Sequence, residues 1–210
     1  MPFEVNGKLV DTYLDFINDS LEKVLGTKLT GKRILEIGDN DPTYNLQDFV
    51  DRGMEHTLLE PHACDENGVM LGAYQPRLAE IYVAKVLHDA ENLSEYMDYF
   101  HAITNIGCIE HIPLEFQYDI WKNLHNMCKV GGVMIHIMPD LQECLSYLRW
   151  YGHCSIYFSP AFFQNLADKL GYEIVNNELL NFNRSVALKK VSDTVFDLDK
   201  EEFLETFNKV

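Results

Sequence analysis

The run Arg33–Gly38, RILEIG, followed at once by DNDP (Asp39–Pro42), constrains the fold more than any other part of the chain. A short apolar run suits a strand buried on both faces, because a parallel sheet covered by helices leaves no solvent face. Gly38 closes the run. Asp41 is a good N-cap and Pro42 suits the first helical position, so a helix start is specified directly after the turn. Asn40 enters the left-handed region more readily than most residues, which lets the turn close without further glycines. Strand, tight turn and helix form the opening unit of an open α/β sheet. Ligands in such sheets bind beyond the carboxyl ends of the strands.

The remaining patterns extend that unit. Val10, Tyr13, Leu14, Ile17, Leu21 and Val24 have helical spacing over residues 9–25, with Gly26 placed to end the helix. Residues 42–52 form the helix after the opening turn, and HTLLE (56–60) is a second strand. AEIYVAKV (79–86) is a third and FHAITNIG (100–107) a fourth. An amphipathic helix follows over 114–129. Gly131-Gly132 ends it, and VMIHIM (133–138) is the fifth strand. Ser159-Pro160 starts another helix that Gly171 closes, before the last two strands, YEIV and RSVALKKV. The alternation predicts a Rossmann-like α/β fold: a doubly wound, mostly parallel sheet of about seven strands with helices on both faces. Residues 1–30 read as a helical N-terminal extension, 31–191 as the α/β domain, and 192–210 as an acidic tail with a short helix.

Charge and cysteine usage narrow the functional classes. Seventeen Lys and Arg face 33 Asp and Glu, a formal charge of -16. That average field repels a phosphate backbone and no basic run offsets it, so nucleic acid is not an expected partner. No apolar run is long enough to cross a membrane, and MPFEVNGKLVD lacks the layout of a signal peptide. Five cysteines without a CxxC pair are expected as reduced thiols in the cytoplasm. At the opening turn, a pyrophosphate would meet the carboxylates of Asp39 and Asp41. Like charges ~4 Å apart at a surface-like dielectric repel by about 4 kcal/mol. This disfavours a nicotinamide, flavin or triphosphate ligand and favours one with a cationic part, such as S-adenosylmethionine. Asp39 and Asp41 also serve well as plain turn and cap residues.

Further landmarks follow in order. Glu60 ends the second strand 22 positions after Gly38 (60 minus 38). That is close to the interval at which an acidic side chain meets ribose hydroxyls in this type of fold. HDAENL, ITNIGCIEHIP and NMCKVGGVMIHI follow, and HCSIYFSPAFFQNLADKLGYEI lies at 153–174. The ordered set resembles class I S-adenosylmethionine-dependent methyltransferases, particularly the broad small-molecule branch, over about residues 30–190. The family's first turn has glycine where Asn40 stands, so the glycine motif is degenerate here. The resemblance implies that Glu36, Gly38 and Asp39 lie beside the methionine part of the cofactor. It implies Glu60 on the two ribose hydroxyls, Asp89 and the backbone of Ala90 on adenine, and Asn105 and Ile106 on the floor beside the transferred methyl.

Glu110-His111 falls where the acceptor pocket would open. Histidine can take a proton from a hydroxyl or amine, since its unperturbed pKa lies near neutrality. His111 is therefore the candidate base, with Glu110, His153 and Tyr157 as candidate contacts to the acceptor. Glu60 with His62, and Glu110 with His111, lack metal-ligand spacing, and adjacent residues seldom present ligands to one ion, so no metal is expected. The function expected is methyl transfer to oxygen or nitrogen of a small molecule, with carbon less favoured and a homo-oligomer left open. The rival reading is a methyltransferase-like binding or assembly module that has lost its cofactor.

Overall fold

The computed structural model describes residues 8–37, 46–59, 93–147 and 154–209. The first helix, α1 (Lys8–Leu25), ends where Gly26 turns left-handed (φ 81°) and donates its N–H to Glu22 O at 3.0 Å. There follow β1 (Arg33–Ile37), α2 (Leu46–Asp51), β2 (Glu55–Leu59) and β3 (Phe100–Ile106). Then come α3 (Leu114–Met127), β4 (Cys128–Pro139), α4 (Leu141–Tyr147) and the two-residue β5 (Ile156–Tyr157). The chain continues through α5 (Pro160–Leu170), β6 (Tyr172–Leu180), β7 (Asn183–Lys190), α6 (Lys200–Glu205) and β8 (Asn208–Lys209). The strand expected at 79–86 lies outside the described residues.

Six strands form one sheet in the order β2-β1-β3-β4-β7-β6. The β2–β1, β1–β3 and β3–β4 pairs are parallel, whereas β7 runs antiparallel to both β4 and β6. Alternation along the strands feeds two cores. Leu35, Ile103 and Met134 meet Trp121 and Leu124 of α3 and Phe163 of α5 on one face. Ile34, Ala102 and Ile135 meet Phe16, Ile17 and Leu21 of α1 and Phe49 of α2 on the other. Among the described residues, no helix is long and apolar enough to cross a membrane.

Two expectations are corrected. Gly131-Gly132 does not end α3; the helix stops at Met127, where Cys128 turns to extended backbone, and β4 runs through the glycines. A Cβ at Gly132 would stand 2.9 Å from both His101 O and Lys129 O, so the strand irregularity against β3 requires a residue with no side chain. The last strand pair is also longer than YEIV suggests, since β6 continues to Leu180 before a turn through Asn181 and Phe182, both at positive φ. The short helix expected in the tail is present as α6, capped by Asp199, whose Oδ1 accepts from Glu202 N at 2.9 Å.

The tail closes on the domain through aromatics. Phe207 packs at ring-centroid distances of 5.4 Å from Phe158 and 4.9 Å from Phe162, and β8 pairs antiparallel with β5. A two-residue ribbon is not stable by itself, so this aromatic packing is what keeps it in place. The Phe207→Ala variant should lose about 3–5 kcal/mol, the usual cost of emptying a buried Phe site. Its urea-unfolding midpoint checks this, and an unchanged midpoint would mean that the tail is not docked.

The buried histidine of β4 makes the fold's stability depend on pH. His136 on β4 is fully buried with its ring 4.7 Å from Trp121, and neither ring nitrogen has a hydrogen-bond partner among the described residues. Burial lowers its pKa to about 3. The folded chain therefore keeps this ring neutral where the unfolded chain protonates it. The stability that depends on it is complete above the unfolded value of 6.5 and is lost as pH falls toward about 3. Between about pH 5.5 and about pH 4, wild type should lose about 1.4 kcal/mol per pH unit more than His136→Phe. Parallel slopes for the two proteins, measured by denaturant unfolding across that range, would contradict a neutral buried ring.

Candidate functional site

The described part of the site is built at the carboxyl end of β3. Asn105 is buried there, and its Oδ1 accepts from Ile109 N at 3.1 Å. Gly107 turns left-handed (φ 62°) and donates to Ile137 O at 2.9 Å, which redirects the chain into the short 3₁₀ turn Ile109–His111. Gln117 of α3 braces that turn from below. Its Nε2 donates to Ile109 O at 2.7 Å and Ile112 O at 2.9 Å, while its Oε1 accepts from Trp121 Nε1 at 3.2 Å. This amide has its bonds in three directions, so the turn's backbone has little freedom.

A second segment, Cys154–Phe158, lies against the turn. Ser155 donates its N–H to Glu110 O at 3.0 Å and its hydroxyl to His111 O at 2.7 Å. Glu110 is buried and His111 half-buried, and their ligand atoms lie with Cys154 Sγ within 4.8 Å of one another. Tyr157 is buried in a small cluster with Cys144, Cys154 and Leu141, so it supports the wall from behind. Burial and the carboxylates of Asp140 and Glu143 push the Cys144 thiol up to about 11, which keeps it inert at neutral pH.

The structure thus brings together Asn105, Ile106, Glu110, His111 and Tyr157 from the expected set. Gly38, Asp39, Glu60, Asp89, Ala90 and His153 lie outside the described residues. Glu36 is buried and bonds His56 across β1 and β2, Oε2 to Nε2 at 2.8 Å. It follows Ile34 by two positions and His56 stacks on Phe49, so the pair sits on the α1/α2 face.

Two features were missed in the sequence. Asp140 at the end of β4 is 1% exposed, accepts from Arg184 Nε at 3.0 Å, and caps α4 by accepting from Glu143 N at 3.1 Å. An aspartate between a strand and a helical run was a readable cap signal. Cys154 had no such signal, since its approach to Glu110 is tertiary.

Asn105 also bears on the cofactor that the resemblance implies. Its Nδ2 is buried with no partner among the described residues, at the strand end where a ligand would lie. S-adenosylmethionine presents carboxylate and ribose oxygens, which can accept from such a donor, so this end of the site suits it. The half-buried Ile106 beside it gives an apolar surface for a methyl group.

No curated protein matches the chain in sequence. Among solved structures, it is similar to the PH0226 protein of Pyrococcus horikoshii OT3, with TM-score 0.56, 16% identity, and 89% of this chain and 93% of that one covered. It is also similar to a SAM-dependent methyltransferase of Archaeoglobus fulgidus, with TM-score 0.53, 12% identity, and 84% and 94% covered. A third similar structure is the 1,6-didemethyltoxoflavin-N1-methyltransferase of Burkholderia thailandensis, with TM-score 0.53, 10% identity, and 89% and 83% covered. At these identities the likeness establishes the fold. The family is established by sequence: residues 11–177 match the family described as "Methyltransferase domain". The chain therefore belongs to the methyltransferase domain family, as a class I S-adenosylmethionine-dependent methyltransferase.

Proposed function

We propose that this enzyme transfers the methyl group of S-adenosylmethionine to an oxygen or nitrogen atom of a small molecule. The observation that carries this reading is the packing of Glu110-His111 against Cys154–Tyr157 just beyond β3, where an acceptor would approach the methyl. His111 is the base that takes the acceptor's proton as the new bond to carbon forms. Its half-buried position leaves it open on one side to an incoming molecule. Glu110 and His153 contact the acceptor, and Tyr157 supports that wall. Methyl transfer asks for little else from side chains, because the sulfonium is already a good leaving group and in-line placement supplies much of the acceleration.

On the cofactor side, Glu60 takes the ribose hydroxyls, and Asp89 with Ala90 takes adenine. Glu36, Gly38 and Asp39 flank the methionine part, and Asn105 and Ile106 form the floor. The chain's charge of -16 suits a cofactor with sulfonium and ammonium groups and favours a basic acceptor. A small molecule as acceptor also accords with the similar toxoflavin enzyme, whose structure holds 1,6-didemethyltoxoflavin and S-adenosylhomocysteine. Among the described residues, Cys108, Cys128, Cys144 and Cys154 stand outside any disulfide, which suits a cytoplasmic setting.

Calorimetric titration with S-adenosylhomocysteine tests the cofactor half of this assignment. Wild type should bind it in the micromolar range, and Glu60→Ala should weaken binding at least about tenfold, the value of one charge-assisted hydrogen bond. Equal affinities would remove Glu60 from the ribose. An absence of binding by folded wild type would overturn the assignment as a whole.

A further inference from the structure

We propose that Glu110, His111 and Cys154 form a binding site for a divalent metal ion of zinc-like softness, at the acceptor side of the pocket. The three donor atoms, a carboxylate oxygen, an imidazole nitrogen and a thiol sulfur, lie within 4.8 Å of one another. Around tetrahedral zinc, with bonds of about 2.0–2.3 Å, such donors stand roughly 3.3–3.8 Å apart. Reaching that spacing asks each donor atom to move by about 1 Å.

The backbone is already positioned for it. Ser155 bonds the carbonyl oxygens of both Glu110 and His111, so residue 154 is tied beside the 3₁₀ turn by the residue that follows it. Gln117 holds the same turn from the other side. Adjacent residues seldom chelate one ion, but here the third donor arrives from 44 positions later in the chain (154 minus 110). Its burial matters as well. Glu110 is 1% exposed and Cys154 7% exposed, so an ion here would have a low-dielectric floor and strong attraction to the carboxylate.

The donor set indicates the kind of ion. A thiolate, an imidazole and a carboxylate select zinc, or cobalt in its place, over magnesium and calcium, which prefer oxygen alone. Three protein ligands also leave a fourth position open, as in catalytic zinc sites. On the half-exposed side of His111, that position would take water or the heteroatom of an acceptor. Binding converts the Cys154 thiol to thiolate and releases its proton to solvent. The loaded ion would lower the acceptor's pKa directly. With the ion bound, His111 would hold it in place of acting as the base, since a ligated imidazole nitrogen has no free lone pair, and the acceptor's proton would pass to water on the half-exposed side. This deepens the methyl-transfer reading, but its readout is metal binding.

The test is titration of the metal-free full chain with Co²⁺ alone, followed by optical absorption. One equivalent should bind with a thiolate-to-cobalt charge-transfer band, and added Zn²⁺ should displace it. Cys154→Ser should abolish the band, and His111→Gln, at a half-exposed position, should weaken Co²⁺ binding at least about tenfold while the protein stays folded. No saturable binding, or a band that persists in Cys154→Ser, would overturn the site. Calorimetry with S-adenosylhomocysteine on the same samples keeps the two questions apart, because cofactor binding without cobalt binding refutes only the metal.

Discussion

Parallel pairing of β1, β3 and β4 is the constraint on which the rest of this molecule depends. A parallel pair cannot be closed by a hairpin, so each connection must cross a face of the sheet, and both faces end up covered. That is why Ile34 and Leu35, neighbours in sequence, belong to different cores. The same pairing points the carboxyl ends of β1, β2, β3 and β4 to one edge. Polar residues that would be costly inside the sheet can gather there, with Asn105 one residue before the end of β3 and Asp140 following β4.

The reversed strand β7 brings the chain back across the sheet and locks the end of α3. Lys190, at its end, is buried, yet its ammonium donates to His125 O at 2.9 Å and Cys128 O at 3.0 Å. Those carbonyls belong to the last turn of α3 and the residue after it, where acceptors lack intrahelical partners and the helix dipole favours a cation. His125 completes the lock. Burial, aided by the Lys190 charge, lowers its pKa to about 4, so the ring is neutral. A carbonyl can only accept, so the Nε2–H donates to Thr194 O at 2.6 Å. Nδ1 is therefore left to accept from the Tyr172 hydroxyl at 2.7 Å. One tautomer thus satisfies β6, the tail and α3 together.

Local chemistry was legible in the sequence and tertiary chemistry was not. The Ser159 cap, the proline after it and the left-handed Gly171 (φ 69°) mark α5 because each acts within a few residues. Gly131-Gly132 misled because a glycine pair signals a helix stop, whereas Gly132 is required by carbonyls of two strands that the sequence does not place together. Glu36 was readable as an acidic residue at a strand end. Its bond to His56 depends on the β1–β2 register, in which Ile34 faces His56 and Glu36 lies diagonally across. The strand β8 was invisible for the same reason, since two residues carry no period and its partner β5 is about as short.

That non-local ribbon bears on how the acceptor side is held. The segment from Cys154 to Phe158 is not part of the large sheet, so its rigidity must come from what touches it. Ser155 bonds it to the turn after β3, Asp140 bridges to Phe158, and Asn208–Lys209 pair with Ile156–Tyr157. Hydrogen bonds at so short a ribbon contribute little net stability once water competes for the same groups. The larger contribution is apolar, from Phe158, Phe162, Phe203 and Phe207, which remove one another from water. The geometry around Glu110 and His111 is therefore coupled to the last residues of the described chain. A perturbation of the tail would reach the site through the position of residue 154, with the strands of the sheet left in place.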